Sequence, residues 1–259
     1  MNLRPVGART NVVAMASFGQ FCPVAVACEI FAERWTPLIL RELLSGSHRF
    51  NEIHRCIPLI SRPLLARRLR ELEAAGVIRG GETQKGKPRE YRLTESGREF
   101  RAAIDALGAW GQRWTVRVER DNLDSGLLMW NIRRRVALDR LPERRVTVHF
   151  NFSGVPAGRS MLKKCWLILE RSGCDVCLRD PGYEVDVYVD SDLASMARVW
   201  LGDLGFAQAV REKKIRLAGS PALVRQFPGW LLLSQFATVP RPPSVLPVAR
   251  VDQIERGQA

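Results

Sequence analysis

Histidine is scarce in this 259-residue chain: only His48, His54 and His149. No Ser/His/Asp arrangement and no glycine-rich phosphate loop can be assembled around them, so no hydrolase or nucleotide-binding enzyme finds residues here. Catalytic residues are therefore expected to be none, and no cofactor is expected. Cys174 and Cys177 form the single C-x-x-C, with only Cys165 or His149 near in sequence. A structural zinc site normally needs four ligands, so no metal is expected. The six cysteines form no paired framework, which fits a reducing, cytoplasmic setting. No run approaches the roughly 20 apolar residues of a membrane span, so no membrane partner is expected. Val12–Ala16 is too short and interrupted for a signal-peptide core, and translation from Met15 is as compatible with the sequence as translation from Met1. Acid is also short: 27 Asp and Glu against 40 Lys and Arg, a formal net charge of +13. That balance favours a polyanionic partner and says nothing about fold. The excess is uneven, with 18 basic against 11 acidic residues in 1–115 and 14 against 11 in 146–259.

The most organised stretch is 61–76. Ser61 can cap a first turn, Pro63 falls where a missing N–H costs little, and Gly76 supplies a left-handed stop. Leu65, Leu69, Leu72 and Gly76 step by four, three and four along one face. Pro63, Arg67, Arg70 and Ala74 then point the opposite way, with Arg62 flanking them. A solvated amphipathic helix is the plainer account of such a pattern, and the neighbours decide against it. Residues 49–57 make a short helix with Phe50, Ile53 and Ile57 on one side, and a turn through Pro58 leads to Ser61. Downstream, Val77-Ile78-Arg79 opens a strand, 84–88 form a charged Gly/Pro tip, and 89–93 return. Helix, turn, helix and β-hairpin in this order predict a winged helix-turn-helix, whose second helix fits a major groove.

The same residues resemble the HxlR-type transcriptional regulators. Cys22-Pro23-Val24, Arg34-Trp35-Thr36, Leu38–Leu43 and Arg49–Ile53 carry the likeness. So do Leu69–Ile78 and Tyr91–Gly97, and the match runs from about Cys22 to Trp114. One departure stands out: the family usually reads Ser-Pro-basic where this chain reads Ser61-Arg62-Pro63, which shifts the first base-reading position by one. The resemblance implies a sequence-specific regulator that binds an inverted-repeat operator in double-stranded DNA as a homodimer, half-sites about one turn (~34 Å) apart. The helix from Val24 to about Glu33, with Val24, Ala27, Cys28 and Phe31 on one side, would pair there with the long helix after the wing. That second helix carries Phe100, Ile104, Leu107, Trp110 and Trp114. The candidate DNA-binding residues are Arg49, Ser61, Arg62, Ala66, Arg67, Arg70, Lys85, Lys87 and Arg89. Of these, Arg62, Ala66, Arg67 and Arg70 suit the groove, and Lys85 and Lys87 suit phosphate or the minor groove. Arg68, nearer the buried edge, is expected to pair with an acidic neighbour. Several relatives with Cys-Pro at this point use the thiol as a sensor, which makes Cys22 the redox-sensing candidate; a plain packing residue is the alternative.

Length suggests two domains. The expected division is an N-terminal arm (1–20), a winged helix-turn-helix domain (21–115), a helical connector (116–145), a second domain (146–238) and a Pro-rich tail (239–259). In the second domain, 146–152, 164–169, 175–178, 183–189 and 215–219 read as strands, with helices over 192–202, 206–212 and 220–227. The fold class is α+β, an antiparallel sheet with helices. Asp186–Val189, Asp192, Trp200-Leu201-Gly202, Arg216–Ser220 and Leu223-Val224 resemble the sterol-carrier-protein-2-like (SCP2) domain. That resemblance implies an apolar tunnel for a small hydrophobic ligand. Its candidate lining is Trp166, Trp200, Phe206, Trp230 and Phe236, which could equally fill a small core. The competing account of the whole chain is a lipid carrier whose winged helix serves protein contacts. Specific retardation of duplex DNA separates the two.

Overall fold

The computed structural model describes residues 17–82, 88–115, 118, 123–156 and 163–242. The chain divides into two compact units, Met1–Leu107 and Gly108–Ala259.

The first unit opens with α1 (Pro23–Phe31), α2 (Thr36–Leu44), α3 (Phe50–Cys56) and α4 (Arg62–Ala74). Two short antiparallel strands follow, β1 (Ile78–Gly80) and β2 (Tyr91–Leu93), in the register Ile78–Leu93, Arg79–Arg92, Gly80–Tyr91. The long α5 (Glu95–Trp114) begins immediately after. One core joins Ile39, Leu40 and Leu43 of α2, Ile53 of α3 and Leu65, Leu69 and Leu72 of α4 to Val77, Ile78 and Ile104. The end of α4 explains the reversal into β1. Gly76 takes φ +71, its N–H reaches the Glu73 carbonyl (3.0 Å), and Val77 N–H reaches that of Leu72 (3.0 Å). This is a Schellman stop, sealed by the apolar contact of Leu72 and Val77 in the core. The helix α1 stops two residues short of the expected Glu33. It ends at Phe31 and buries no residue; Phe31 stacks on Phe100 (5.5 Å), while Val24 and Ala27 face outward.

The second unit contains α6 (Ser125–Arg133), β3 (Val146–Ser153), β4 (Lys164–Glu170), β5 (Gly173–Cys177) and β6 (Val187–Asp192). It is completed by α7 (Leu193–Trp200), α8 (Phe206–Arg211), β7 (Ile215–Gly219) and α9 (Pro221–Gln226). The strands form one sheet in the order β5-β4-β3-β6-β7. It is a mixed sheet, not the antiparallel one expected: β3 and β6 run parallel, Val148 opposite Val187 and Phe150 opposite Val189. Side-chain alternation carries no information on strand direction, so this pairing was invisible in the pattern. The strand expected over 183–189 begins only at Val187. Before it, the Asp186 carboxylate accepts Thr147 N–H (2.9 Å) and the Arg144 guanidinium (2.7 Å), a side-chain anchor in place of a longer ladder.

One face of the sheet carries the core. Val148, Phe150 and Phe152 of β3 meet Cys165, Leu167 and Leu169 of β4, Val187 and Val189 of β6 and Met196 of α7. Met129 and Ile132 of α6 are buried in the same cluster, so the stretch read as a connector supplies a layer of this unit. Phe227 is the hub of its rings, with Phe150, Phe206 and Trp230 each edge-on at 6.1 Å.

Candidate nucleic-acid interface

The site is built on α4. Ser61 caps it, its hydroxyl accepting Leu64 N–H at 3.4 Å, and the buried Leu65, Leu69 and Leu72 fix which face looks out. That face bears Arg62, Arg67 and Arg70, all exposed, with Ala66 half-buried between them. Their surroundings differ. Arg62 donates to Asn51 Oδ1 (2.9 Å) and lies over the Phe50 ring (5.0 Å), so it is laid against α3. Arg67 stands 3.6 Å from Glu71 one turn on. Arg70 has no ion-pair or hydrogen-bond partner among the described residues. Arg68 turns inward, pairing with Glu71 (2.6 Å) and with Glu33 of the α1–α2 turn.

Arg89, at the wing base, donates to Glu73 Oε1 (2.8 Å) and to the Gly81 carbonyl (3.2 Å). Glu73 also accepts Gly80 N–H (2.9 Å), so one carboxylate ties the end of α4 to both sides of the hairpin. Sequence reasoning missed this role, because nothing in the local pattern marks Glu73 apart from other solvated acids. Arg49 precedes α3, with its N–H on Glu52 (3.0 Å) and its guanidinium 3.5 Å from Glu90. Lys85 and Lys87 lie outside the described residues. The structure thus brings Ser61, Arg62, Ala66, Arg67 and Arg70 onto one helix surface, with Arg49 and Arg89 already engaged by acids beside it.

Cys22 sits just ahead of α1, fully exposed. The backbone N–H groups of Ala25, then Val24, favour its thiolate and hold its pKa below the ordinary thiol value. Burial does the opposite elsewhere, pushing Cys165 up to about 12 and Cys174 up to about 11. With iodoacetamide at pH 7.5 and limiting time, Cys22 is therefore expected to be carboxamidomethylated at least tenfold faster than Cys165 or Cys174, read by peptide mass spectrometry. Equal rates would contradict this ordering.

Of the five ring residues proposed to line a tunnel, three share one cluster and two stand apart from it. Trp230 is buried in the core, with Trp200 and Phe206 packed at its margin. Trp166 lies on the opposite face of the sheet, against His149 (4.7 Å). Phe236 sits over Gly108, so close that a Cβ there would fall 2.2 Å from the ring. Among the described residues, no group of three or more His, Cys, Asp or Glu is placed to hold a metal, and no helix is long and apolar enough to cross a membrane.

Comparison with known proteins places this geometry. The HxlR-like helix-turn-helix pattern matches residues 30–119. The HTH-type transcriptional regulator YdeP of Bacillus subtilis is 35% identical over 100 residues, covering 38% of this chain and 78% of that one. The chain belongs to the HxlR-like helix-turn-helix family. A second relative, an HTH-type transcriptional regulator of Methanothermobacter thermautotrophicus, is 42% identical over 36% of this chain and 72% of its own length. Among solved structures, the reduced form of the transcriptional regulator YodB from B. subtilis is 34% identical, over 36% of this chain and 93% of that one, with a TM-score of 0.32.

Proposed function

We propose that this DNA-binding transcriptional regulator reads an inverted-repeat operator as a cytoplasmic homodimer, placing α4 of each protomer in the major groove. The observation that carries the reading is the exposed Arg62, Arg67 and Arg70 on a helix whose leucine back is locked in the core. Arginine pairs bidentately with guanine O6 and N7, the commonest base-specific contact. Dimerisation is supported by apolar surface on two helices and the segment before them: Phe21 is fully exposed, Val24 of α1 is 69% exposed and Leu107 of α5 is 49% exposed. Exposed aromatic and aliphatic groups in such number mark an interaction surface.

The test is gel retardation and footprinting on the promoter DNA of its own gene with excess competitor. Wild type should protect two symmetric half-sites about one turn apart. Arg70→Ala should relax preference at one base pair by about 1–3 kcal/mol per half-site. Protection of one unrepeated half-site, or retardation abolished by competitor DNA, would sink the proposal.

Regulation is proposed at two places. The exposed thiol of Cys22, with its favoured thiolate, supports a redox input. For the second unit, an SCP2-like domain holding a small hydrophobic ligand is supported by the helix capped by Asp192 (its carboxylate accepting Ser195 N–H, 2.9 Å) and by Trp200 and Phe206, half-buried at the margin of the core. Native mass spectrometry of gently purified protein, looking for a co-purifying lipid, examines that point.

A further inference from the structure

The first unit holds a cavity of about 340 Å³ none of whose lining residues belongs to α4. Four guanidinium-bearing side chains surround it: Arg79 of β1, Arg92 of β2, and Arg98 and Arg101 of α5. His48 and leucines, among them Leu44 and Leu93, complete the wall, and no carboxylate lines it. Two arginines are held in place by backbone carbonyls, Arg98 by Leu93 (3.1 Å) and Arg101 by Leu44 (3.0 Å). Arg79 and Arg92 face each other directly across the ladder, a like-charge pairing that destabilises a two-stranded ribbon. The compensation is thin. Glu90 reaches Arg92 (2.9 Å) but also serves Arg49, and Arg79 has no partner among the described residues. His48, in the same wall, has a buried Nδ1 without a hydrogen-bond partner among the described residues.

So much positive charge around one small concave space needs a counter-anion. We propose that this cavity is an oxyanion site, taking a small molecule that carries two phosphate or carboxylate groups. Its volume lies within the range of small-molecule pockets, and charge-assisted pairs with guanidinium groups are the strong and geometrically selective ones. Arg98 and Arg101, already oriented by carbonyls, lose little freedom on binding. The leucines favour a ligand with an uncharged body between its anionic ends. None of the four arginines is among the candidates for duplex contact, so the site stands apart from the DNA reading.

The test is isothermal titration calorimetry on the full chain without DNA, using pyrophosphate and, separately, succinate, against sodium chloride at matched ionic strength. Wild type should bind one anion per chain. The Arg79→Gln/Arg92→Gln double variant changes only exposed side chains, and its fold is checked by its melting curve. It should bind at least tenfold more weakly. Arg67→Gln/Arg70→Gln should bind as wild type does. Tighter binding of either probe supports the proposal and assigns the ligand class, phosphate or carboxylate. Binding that survives in Arg79→Gln/Arg92→Gln, that is lost instead in Arg67→Gln/Arg70→Gln, or that chloride reproduces, would overturn it. Because no duplex is present, failure here leaves the operator reading to be judged by its own experiment.

Discussion

Raising salt from 50 to 200 mM is expected to weaken operator binding by about 10³–10⁵, the response of a protein that neutralises six to ten phosphates. The positive side chains around α4 supply that number only if the dimer presents both sets. They do not contribute alike. In the proposed interface Arg70 would meet DNA with no competing partner among the described residues, whereas Arg67 would have to loosen from Glu71 to reach a base edge and Arg89 from Glu73 to reach a phosphate. Exposed pairs of this kind are worth about 0–1 kcal/mol, less than a charge-assisted bond to phosphate, so the exchange favours DNA. Removing a phosphate contact lowers the salt slope by about one per site and weakens all sequences together. Removing a base contact leaves the slope and relaxes one position. Fluorescence anisotropy at five salt concentrations, on wild type, Arg67→Gln and Arg89→Gln, separates these cases. A flat response in the wild type would be irreconcilable with the proposed interface.

The second large effect concerns stability. Gly97, in the first turn of α5, is buried where that helix passes the start of the wing. A Cβ at this position would lie 2.0 Å from the Val77 carbonyl oxygen and 3.0 Å from Leu93 Cδ2. The carbonyl cannot retreat cheaply, because it accepts both Thr94 N–H (3.1 Å) and the Thr94 hydroxyl (3.0 Å). Gly97→Ala is therefore expected to cost about 3 kcal/mol or more, at the upper end of overpacking changes. Gly76→Ala makes the comparison. An added Cβ there meets nothing within 4 Å, so the cost is confined to the left-handed backbone, about 1–2 kcal/mol. Urea unfolding should rank the two in that order. A Gly97→Ala protein as stable as wild type would show that α5 does not approach Val77 this closely.

The first unit was legible because its signals are local. A capping serine, leucines at helical spacing and a glycine stop define α4 without reference to any other element. What those signals could not say was where each arginine goes. Arg62 is directed by Asn51 and Phe50, and Arg89 by Glu73, partners 11, 12 and 16 positions away. The second unit was harder for a different reason. In β4, Cys165, Leu167 and Leu169 face the core while Trp166 and Ile168 face the other side, and both sets are apolar. A period of two assigns a face only when the alternate residues are polar, so Trp166 could not be separated from Trp230 by inspection. The lowered pKa of the Cys22 thiol was legible in outline, since a thiol ahead of a helix start meets free N–H groups whatever the tertiary fold.

The placement of β3 in the middle of its sheet has a consequence for how this chain is made. The neighbour on one side, β4, follows directly and can form a local hairpin. The partner on the other, β6, contributes Val187 opposite Val148, 39 positions later. Until ribosomal synthesis has passed β6, the growing polypeptide carries an apolar strand with an unsatisfied hydrogen-bonding edge, the template for self-association between nascent copies. A product truncated between Ser153 and Val187 keeps that edge permanently. Such fragments would be poor tools for isolating the DNA-binding half, and cutting further back, before Val146, removes the hazard along with the strand.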